Sequence, residues 1–570
     1  MAMATATATA MATAIVRKKA LRRLPASAGS GGFRNAQVVW LSAALFVLIT
    51  LPVSAQYGPT VPGTPGGGGS PGGLAPLSTE TPGRGQRSWL FVPTLSVQET
   101  YTDNLRLSPS GSERSDWVTE LRPGVSVSGR GARLRFNAAY SAGVVYRAQE
   151  GSNDLFHNLN ATGDAELVRQ LLFVDTRASV SQSNVSLLGP QADSNVSNTA
   201  NRTTVRTFLL SPYLRHDFGN DAQGEARLTY STVNSGSAGS STNSASNRID
   251  TRLFSGPAYK LLTWNLAYSK EHIDYSTTTQ SSDTERVSAY GRRLITPNLG
   301  LQATVGYEDN NYGVSVPGSS PTKGAFWSVG PEWTPTPRTR LAATTGRHYY
   351  GPSHSLDFSH RTRLTTWSIS YKEEVTTTRG QFLVPSTVDT AGYLDTLFLA
   401  SIPDPIARQT AAQNFINQTG LPASMAVPLN FFTTTAFLMK SWRASFGIQG
   451  VRNTVLANVF VVNREAAAAN QFGAGDFGQT SSTRQTGTSL LWSSRITEQT
   501  TSNSSIGYTL TEIPGLARED KQTYIRLGLT KQFQPRLTGT LSYRRLHNES
   551  NQAASGYKEN AVSALLNMRF

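Results

Sequence analysis

The sequence predicts an all-β fold: a transmembrane antiparallel outer-membrane β-barrel of about 20 strands (roughly 18–22), carrying a short helical insertion. Three observations predict it. Apolar and polar residues alternate from Trp89 onward, short turns alternate with long loops, and an aromatic residue closes the final alternating segment.

The alternation is plain in Leu299, Leu301, Ala303, Val305 and Tyr307, which are interleaved with Gly300, Gln302, Thr304, Gly306 and Glu308. Leu537, Gly539, Leu541 and Tyr543 stand in the same way against Arg536, Thr538, Thr540, Ser542 and Arg544. Successive side chains on a strand point to opposite faces, so each segment has one greasy face and one wet face. Such segments run about 10–14 residues, near the length of a tilted strand that crosses an outer membrane. Composition agrees with this reading. Hydrophobic residues make up only 38% of the 570, against about 45–50% in globular chains. The 20 Tyr, 23 Phe and 9 Trp argue against disorder, which is poor in aromatics. A soluble propeller or sandwich also alternates, but it hides larger apolar residues and has loops of more even length.

Short turns are expected at Gly219-Asn220-Asp221, Thr296-Pro297-Asn298, Thr334 to Pro337 and Gln534-Pro535-Arg536. Longer polar stretches fall between them: Ser183 to Thr203, Asn234 to Asn247, Ser276 to Asp283, Asn310 to Thr322 and Glu465 to Ser482. Short turns at one end and long loops at the other are the asymmetry of outer-membrane barrels. Tyrosines toward strand ends, among them Tyr101, Tyr140, Tyr146, Tyr307, Tyr312, Tyr349 and Tyr508, suit the aromatic girdles of the two membrane interfaces. Phe570 is preceded on one face by Met568, Leu566, Ala564 and Val562, with Arg569, Asn567 and Ser563 opposite. That pattern resembles the signal which barrels present to the outer-membrane assembly machinery.

Residues 1–55 read as a signal peptide. Arg17 to Arg34 form a basic stretch, Val38 to Val53 an apolar run, and Val53-Ser54-Ala55 a small-residue cleavage site. Residues 56–88, rich in Gly and Pro, read as a disordered linker, and 89–570 as the barrel. Within it, alternation lapses over 376–429. Asp404, Pro405 and Gly420 there have the marks of a helix start and stop. The insertion reads as a flap, a lid or a plug, with the lumen or the periplasm preferred.

The formal net charge is +15, and Arg17, Lys18, Lys19, Arg22, Arg23 and Arg34 of the leader account for much of it. The remaining basic residues are scattered among strands, which speaks against nucleic acid as a partner. Cysteine is absent, so there is no disulfide framework, thiolate metal site or Cys nucleophile. His348, His354 and His360, six apart around an expected loop at Tyr349 to Pro352, complete no metal-ligand pattern. No catalytic constellation and no cofactor is indicated. Arg292, Arg340 and Arg363 are candidate lumen residues that would favour anionic solutes. Salt-bridged wall packing, or contact with lipopolysaccharide phosphates, accounts for such arginines equally well. Tyr101-Thr102-Asp103-Asn104, and Glu308 to Tyr312 after Tyr307, read either as a sugar- or ion-binding rim or, preferably, as anchored turns.

Trp89-Leu90-Phe91-Val92-Pro93-Thr94-Leu95-Ser96-Val97 followed by Tyr101-Thr102-Asp103-Asn104-Leu105 resembles the opening of the outer-membrane proteins associated with the PEP-CTERM/exosortase exopolysaccharide system. The resemblance covers Trp89 to Phe570. It implies a bacterial outer-membrane location, outer-membrane lipid and the assembly machinery as partners, and a link to polysaccharide export. Expected further partners are an anionic polysaccharide and export-complex proteins. The leading expectation is a channel-class envelope component. A structural or adhesive barrel is second, and an outer-membrane hydrolase third.

Overall fold

The computed structural model describes residues 89–236, 242–276, 281–312, 322–383, 432–433, 436–467 and 480–570. The expected signal peptide and linker, and the expected helix at Asp404 to Gly420, lie outside the described residues.

Among the described residues, 22 strands form one antiparallel sheet. The first seven are β1 (Trp89–Thr102), β2 (Asp116–Arg130), β3 (Leu134–Arg147), β4 (Ser152–Val168), β5 (Leu172–Asn184), β6 (Arg202–Phe218) and β7 (Ala222–Ser235). The next eight are β8 (Ser244–Ser255), β9 (Leu262–Tyr275), β10 (Ser281–Thr296), β11 (Leu299–Asn311), β12 (Lys323–Thr336), β13 (Thr339–His348), β14 (Gly351–Arg361) and β15 (Thr365–Thr376). A short helix, α1 (Thr378–Leu383), follows. The last seven strands are β16 (Phe437–Gln449), β17 (Asn453–Ala466), β18 (Ser482–Arg495), β19 (Thr500–Ile513), β20 (Arg518–Gln534), β21 (Leu537–Ser550) and β22 (Tyr557–Arg569). Each strand pairs with the next, and β22 returns to pair with β1 from Thr94↔Arg569 to Thr102↔Ala561. Closure removes every sheet edge, which a wall in lipid requires, because unsatisfied backbone groups there cost several kcal/mol each.

The count of 22 corrects the expected 20. The region around Tyr349 to Pro352 is not a loop. Gly351 takes a φ of +122°, a conformation that a side chain disfavours, so the chain reverses within 349–350. His354 and His360 therefore lie on β14 rather than in a surface loop.

The alternation maps onto the wall as physics demands. Leu301, Val305, Tyr307 and Leu541 are exposed on the outer face, whereas Gln302 and Glu308 are buried on the lumenal one. Val562, Leu566 and Met568 share the outward, exposed face of β22, Ala564 lies between them in the same register, and Phe570, just past the strand, is exposed as well. Even-to-odd strands are joined by short turns, for example 219–221, 297–298, 337–338 and 535–536. Threonine hydroxyls open several of them. Thr296 Oγ1 accepts the Leu299 N–H at 3.0 Å, and Thr362 Oγ1 accepts the Thr365 N–H at 2.9 Å. The opposite end carries the long connections 103–115, 185–201, 312–322, 377–436 and 467–481. Short turns mark the periplasmic end and long loops the extracellular end. The chain is an outer-membrane barrel.

The Tyr101-Thr102-Asp103-Asn104 stretch sits on the closing seam. Asp103 Oδ1 accepts the Asn560 backbone N–H, and its Oδ2 accepts Asn560 Nδ2, each at 2.7 Å. Asn104 Nδ2 donates to Ser108 O at 2.8 Å and to Lys558 O at 2.9 Å. Thr102 Oγ1 donates to Glu559 Oε1 at 2.9 Å. Tyr101-Thr102-Asp103-Asn104 is thus a clasp between β1 and β22, which ties the barrel shut where its most distant segments meet.

Candidate functional site

A barrel wall gives two places for function, the lumen and the loops that cap it. Here the two merge, because two extracellular connections fold inward.

The first is 185–201, between β5 and β6. Its own polar side chains brace it: Asn201 Nδ2 donates to Ser186 O at 2.8 Å, and Gln191 Nε2 donates to Gly189 O at 2.7 Å. With several of its backbone groups occupied in this way, the segment can leave the rim as a unit. It then reaches walls far from its root. Leu187 joins Phe437, Met439, Phe460 and Val462 in one apolar cluster, on strands β16 and β17. In a ring of 22 strands those lie directly across from β5 and β6. Val196 packs with Leu105, Val118 and Val145. The Gln191 N–H donates to Tyr557 Oη at 3.0 Å.

Arginines on the wall fasten this segment. Arg526 pairs with Asp193, and Arg518 Nη2 donates to Leu188 O at 2.9 Å. Arg544 donates to Ser194 Oγ at 2.8 Å and to Glu559 Oε1 at 2.7 Å. Arg147, 1% exposed, donates to Asn195 O at 3.3 Å and pairs with Asp154. Arg202 donates to Ser194 O and Asn195 Oδ1, both at 2.6 Å. Asn198 Nδ2 donates to Glu150 Oε2 at 2.8 Å, in the 148–151 loop. Burial pushes the Glu150 carboxyl up, but hydrogen bonds from Asn198, Arg106 and Ser152 outweigh it and hold the group below the ordinary carboxylate range.

The second inward feature is formed by the described ends of the 377–436 connection. Its described start, α1, leaves β15 and docks on the wall around β7. Arg379 Nη2 donates to Ser231 O at 2.9 Å, Ser231 Oγ at 2.7 Å and Ser246 Oγ at 2.8 Å. Its other terminal nitrogen lies 3.8 Å from Glu271. Phe432 donates its N–H to Val185 O at 3.2 Å, which joins the two inward segments. Phe432 also packs with Val205 and Val233, beside Phe382 and Leu383. The described ends of the insertion thus stand inside the lumen.

Toward the periplasm the wall is lined by neutralised charge and by hydroxyls. Arg292 and Arg340 both face the lumen and share one partner, Glu332, which Arg340 meets at 2.9 Å. Arg363 stands elsewhere, exposed in the 362–364 turn. Arg227 bridges Asp175 at 2.8 Å and Glu225 at 3.1 Å, with its guanidinium 3.8 Å from the Tyr213 ring centre. Ser211 and Thr229, 2.8 Å apart, and Thr530 and Thr540, 3.0 Å apart, pair their hydroxyls. This surface is wet and carries both signs of charge, with most arginines matched.

The Glu308 to Tyr312 stretch divides. Tyr307 faces lipid, whereas Glu308 faces the lumen and accepts His348 Nδ1 at 2.8 Å. Phe326, His348 and Tyr350 stack with centroids 4.8 and 5.1 Å apart. Tyr312 and Tyr349 share a hydroxyl contact of 2.9 Å, and burial pushes the Tyr349 phenol up to about 12. These rings cover one another. Among the described residues, no group of three or more His, Cys, Asp or Glu side chains is placed to hold a metal ion. The inward loop was not visible in the sequence, because its anchors Asp193 and Arg526 lie far apart along the chain and no local period links them.

No family model and no curated relative matches the chain. Among solved structures it is similar to the siderophore receptor PirA from Pseudomonas aeruginosa, at 10% identity over 84% of this chain and 80% of that one, with a TM-score of 0.41. PirA from Acinetobacter baumannii gives 10% identity over the same shares and a TM-score of 0.43. OccK2 (OpdF) from Pseudomonas aeruginosa gives 7% identity over 84% and 98%, with a TM-score of 0.32.

Proposed function

We propose that this barrel is a gated channel-class component of the envelope, through which an anionic surface polysaccharide is passed or on which it is held. The observation that carries the reading is segment 185–201, which is built as a unit and fastened across the lumen mainly by hydrogen bonds and ion pairs. Polar fastenings can exchange partners with water or with a polar solute. A greasy plug could not do so without exposing apolar surface. The hydroxyl-rich wall suits a carbohydrate, whose hydroxyls both donate and accept. Two arginines, Arg292 and Arg340, on the single carboxylate of Glu332 leave local positive charge that favours an anionic polymer. The resemblance of the first strand supplies the link to exopolysaccharide export, and export-complex proteins are the expected neighbours. No hydrolytic chemistry is assigned.

The test is conductance in a planar bilayer, for the intact barrel and for a variant in which 186–200 is replaced by a short Gly-Ser link. The intact barrel should conduct weakly and the variant several-fold more, with anions preferred. Equal, negligible conductance in both would sink the channel reading. The filled outer lumen favours a second reading, a closed structural or adhesive barrel, and that result would support it. Loss of surface polysaccharide on gene deletion would favour export over adhesion.

A further inference from the structure

On the lipid-facing side of β9, β10 and β11 the wall carries a notch. Two successive rungs of the sheet read Leu266–Ala289–Val305 and Trp264–Gly291–Ala303. Large side chains thus flank a floor of Ala289, Gly291 and Ala303. The glycine is not there to admit a close neighbour. A Cβ placed on Gly291 meets nothing within 4 Å, whereas one on Gly306 of β11 would lie 2.5 Å from the Phe326 ring. The space over Gly291 is open, and it opens onto the membrane.

One rung nearer the periplasm, the same face reads Leu262–Arg293–Leu301. Both leucines are exposed to lipid, so Arg293, paired directly between them, projects into the same surroundings. No hydrogen bond or ion pair from the described residues engages it. Its neighbours on that face are Leu262, Leu301, Gly291 and Ile295, none of them acidic. Arg293 lies close to the periplasmic end of β10, which stops at Thr296. Tyr259 of the β8–β9 turn stands edge-on to Trp264, with centroids 6.0 Å apart, as in an interfacial girdle. Lys260, exposed in that turn, adds a second cation at this level.

A guanidinium on a lipid face is unfavourable unless it reaches the interface and meets an anion there. The groove begins one rung above the arginine and runs toward the membrane middle. From Arg293 to Ala289 is about 13 Å of strand, a length that an acyl chain covers. The cation stands where a headgroup phosphate would be, and the trough lies where its chain would run. We propose that this surface binds one anionic glycerophospholipid of the periplasmic leaflet, with its phosphate on Arg293 and an acyl chain laid over Gly291 between Trp264, Leu266 and Val305. This assignment is independent of what passes through the lumen.

The test uses the barrel purified in maltoside detergent, stripped of lipid, and offered palmitoyl-oleoyl phosphatidylglycerol under native mass spectrometry. The wild type should retain one lipid per barrel. Arg293→Ala, which removes the phosphate partner, and Gly291→Leu, which fills the trough, should each lower that retention about tenfold. Both substitutions leave the strand's neighbours untouched, and heat-modified gel migration checks that the variants are folded. Unchanged retention in both variants would overturn the proposal, as would loss in one variant alone, which would break the pairing of headgroup site with chain site. Preference for lipid A, the lipid of the opposite leaflet, would overturn it too.

Discussion

The extracellular and periplasmic halves of the lumen share one alternating wall but are filled in different ways. In the outer half, arginines join the wall to segments that started elsewhere: Arg526 to Asp193, Arg544 to Ser194, and Arg379 of the insertion to Ser231 of the wall. In the inner half, among the described residues, arginines reach to the wall itself: Arg292 and Arg340 to Glu332, Arg135 to Asp164 at 3.2 Å, Arg227 to Asp175. The same residue type therefore holds an inward segment in one half and stiffens a tube in the other. A barrel of this strand number is wide enough to need filling, and among the described residues the filling lies at the mouth.

That contrast can be broken by removing one arginine from each half. Arg544→Ala strips Glu559, which is fully buried, of its cation while leaving the carboxylate in place. It should cost about 3–5 kcal/mol, read as a lower urea midpoint, and it should raise conductance because Ser194 is released. Arg292→Ala should cost less, about 1–2 kcal/mol, since the buried Glu332 keeps Arg340 at 2.9 Å, and it should leave the conductance level alone. Equal costs for the two variants would mean that the halves do not differ in kind.

Acidity gives a smaller effect and sharpens the same comparison. Glu150, in an outer loop, is held below the ordinary carboxylate range by Asn198, Arg106 and Ser152. A carboxyl depressed by folding contributes stability above its unfolded pKa, and that contribution is lost as pH falls through the folded value. Amide protection around Asn198, taken relative to the intrinsic exchange rate at each pH, should therefore stay high from neutral pH down to the carboxylate range and fall below it. Glu150→Gln should remove most of that pH dependence. Protection in 185–201 that is indifferent to acid in the parent protein would show that this anchor contributes nothing.

The wall was legible in the sequence because it repeats. Leu301, Val305 and Leu541 faced lipid as their parity required, and a threonine or proline marked many short turns. Two features escaped for physical reasons. The tight reversal at 349–350 stands at the end where long loops prevail, so its residues read as loop. The inward course of 185–201 depends on contacts between distant segments, and serine, asparagine and glutamine look the same whether they face water or a lumen. Arg292 and Arg340 were readable as lumenal from strand parity. Arg363 was not, because a turn residue has no parity to read. The Tyr101 to Asn104 motif was visible as a motif, but its work as a seam clasp depends on Asn560, whose pairing only closure reveals.

The most direct measurement fastens the gate. The chain has no cysteine, so Leu187→Cys with Met439→Cys provides the only two thiols, one on the inward segment and one on the wall across from its root. A short bis-maleimide bridging them should hold single barrels in a bilayer at their low conductance level under all voltages, while the unbridged double variant still steps to a larger one. Bridged barrels that open as widely and as often as unbridged ones would contradict the claim that movement of 185–201 controls the lumen.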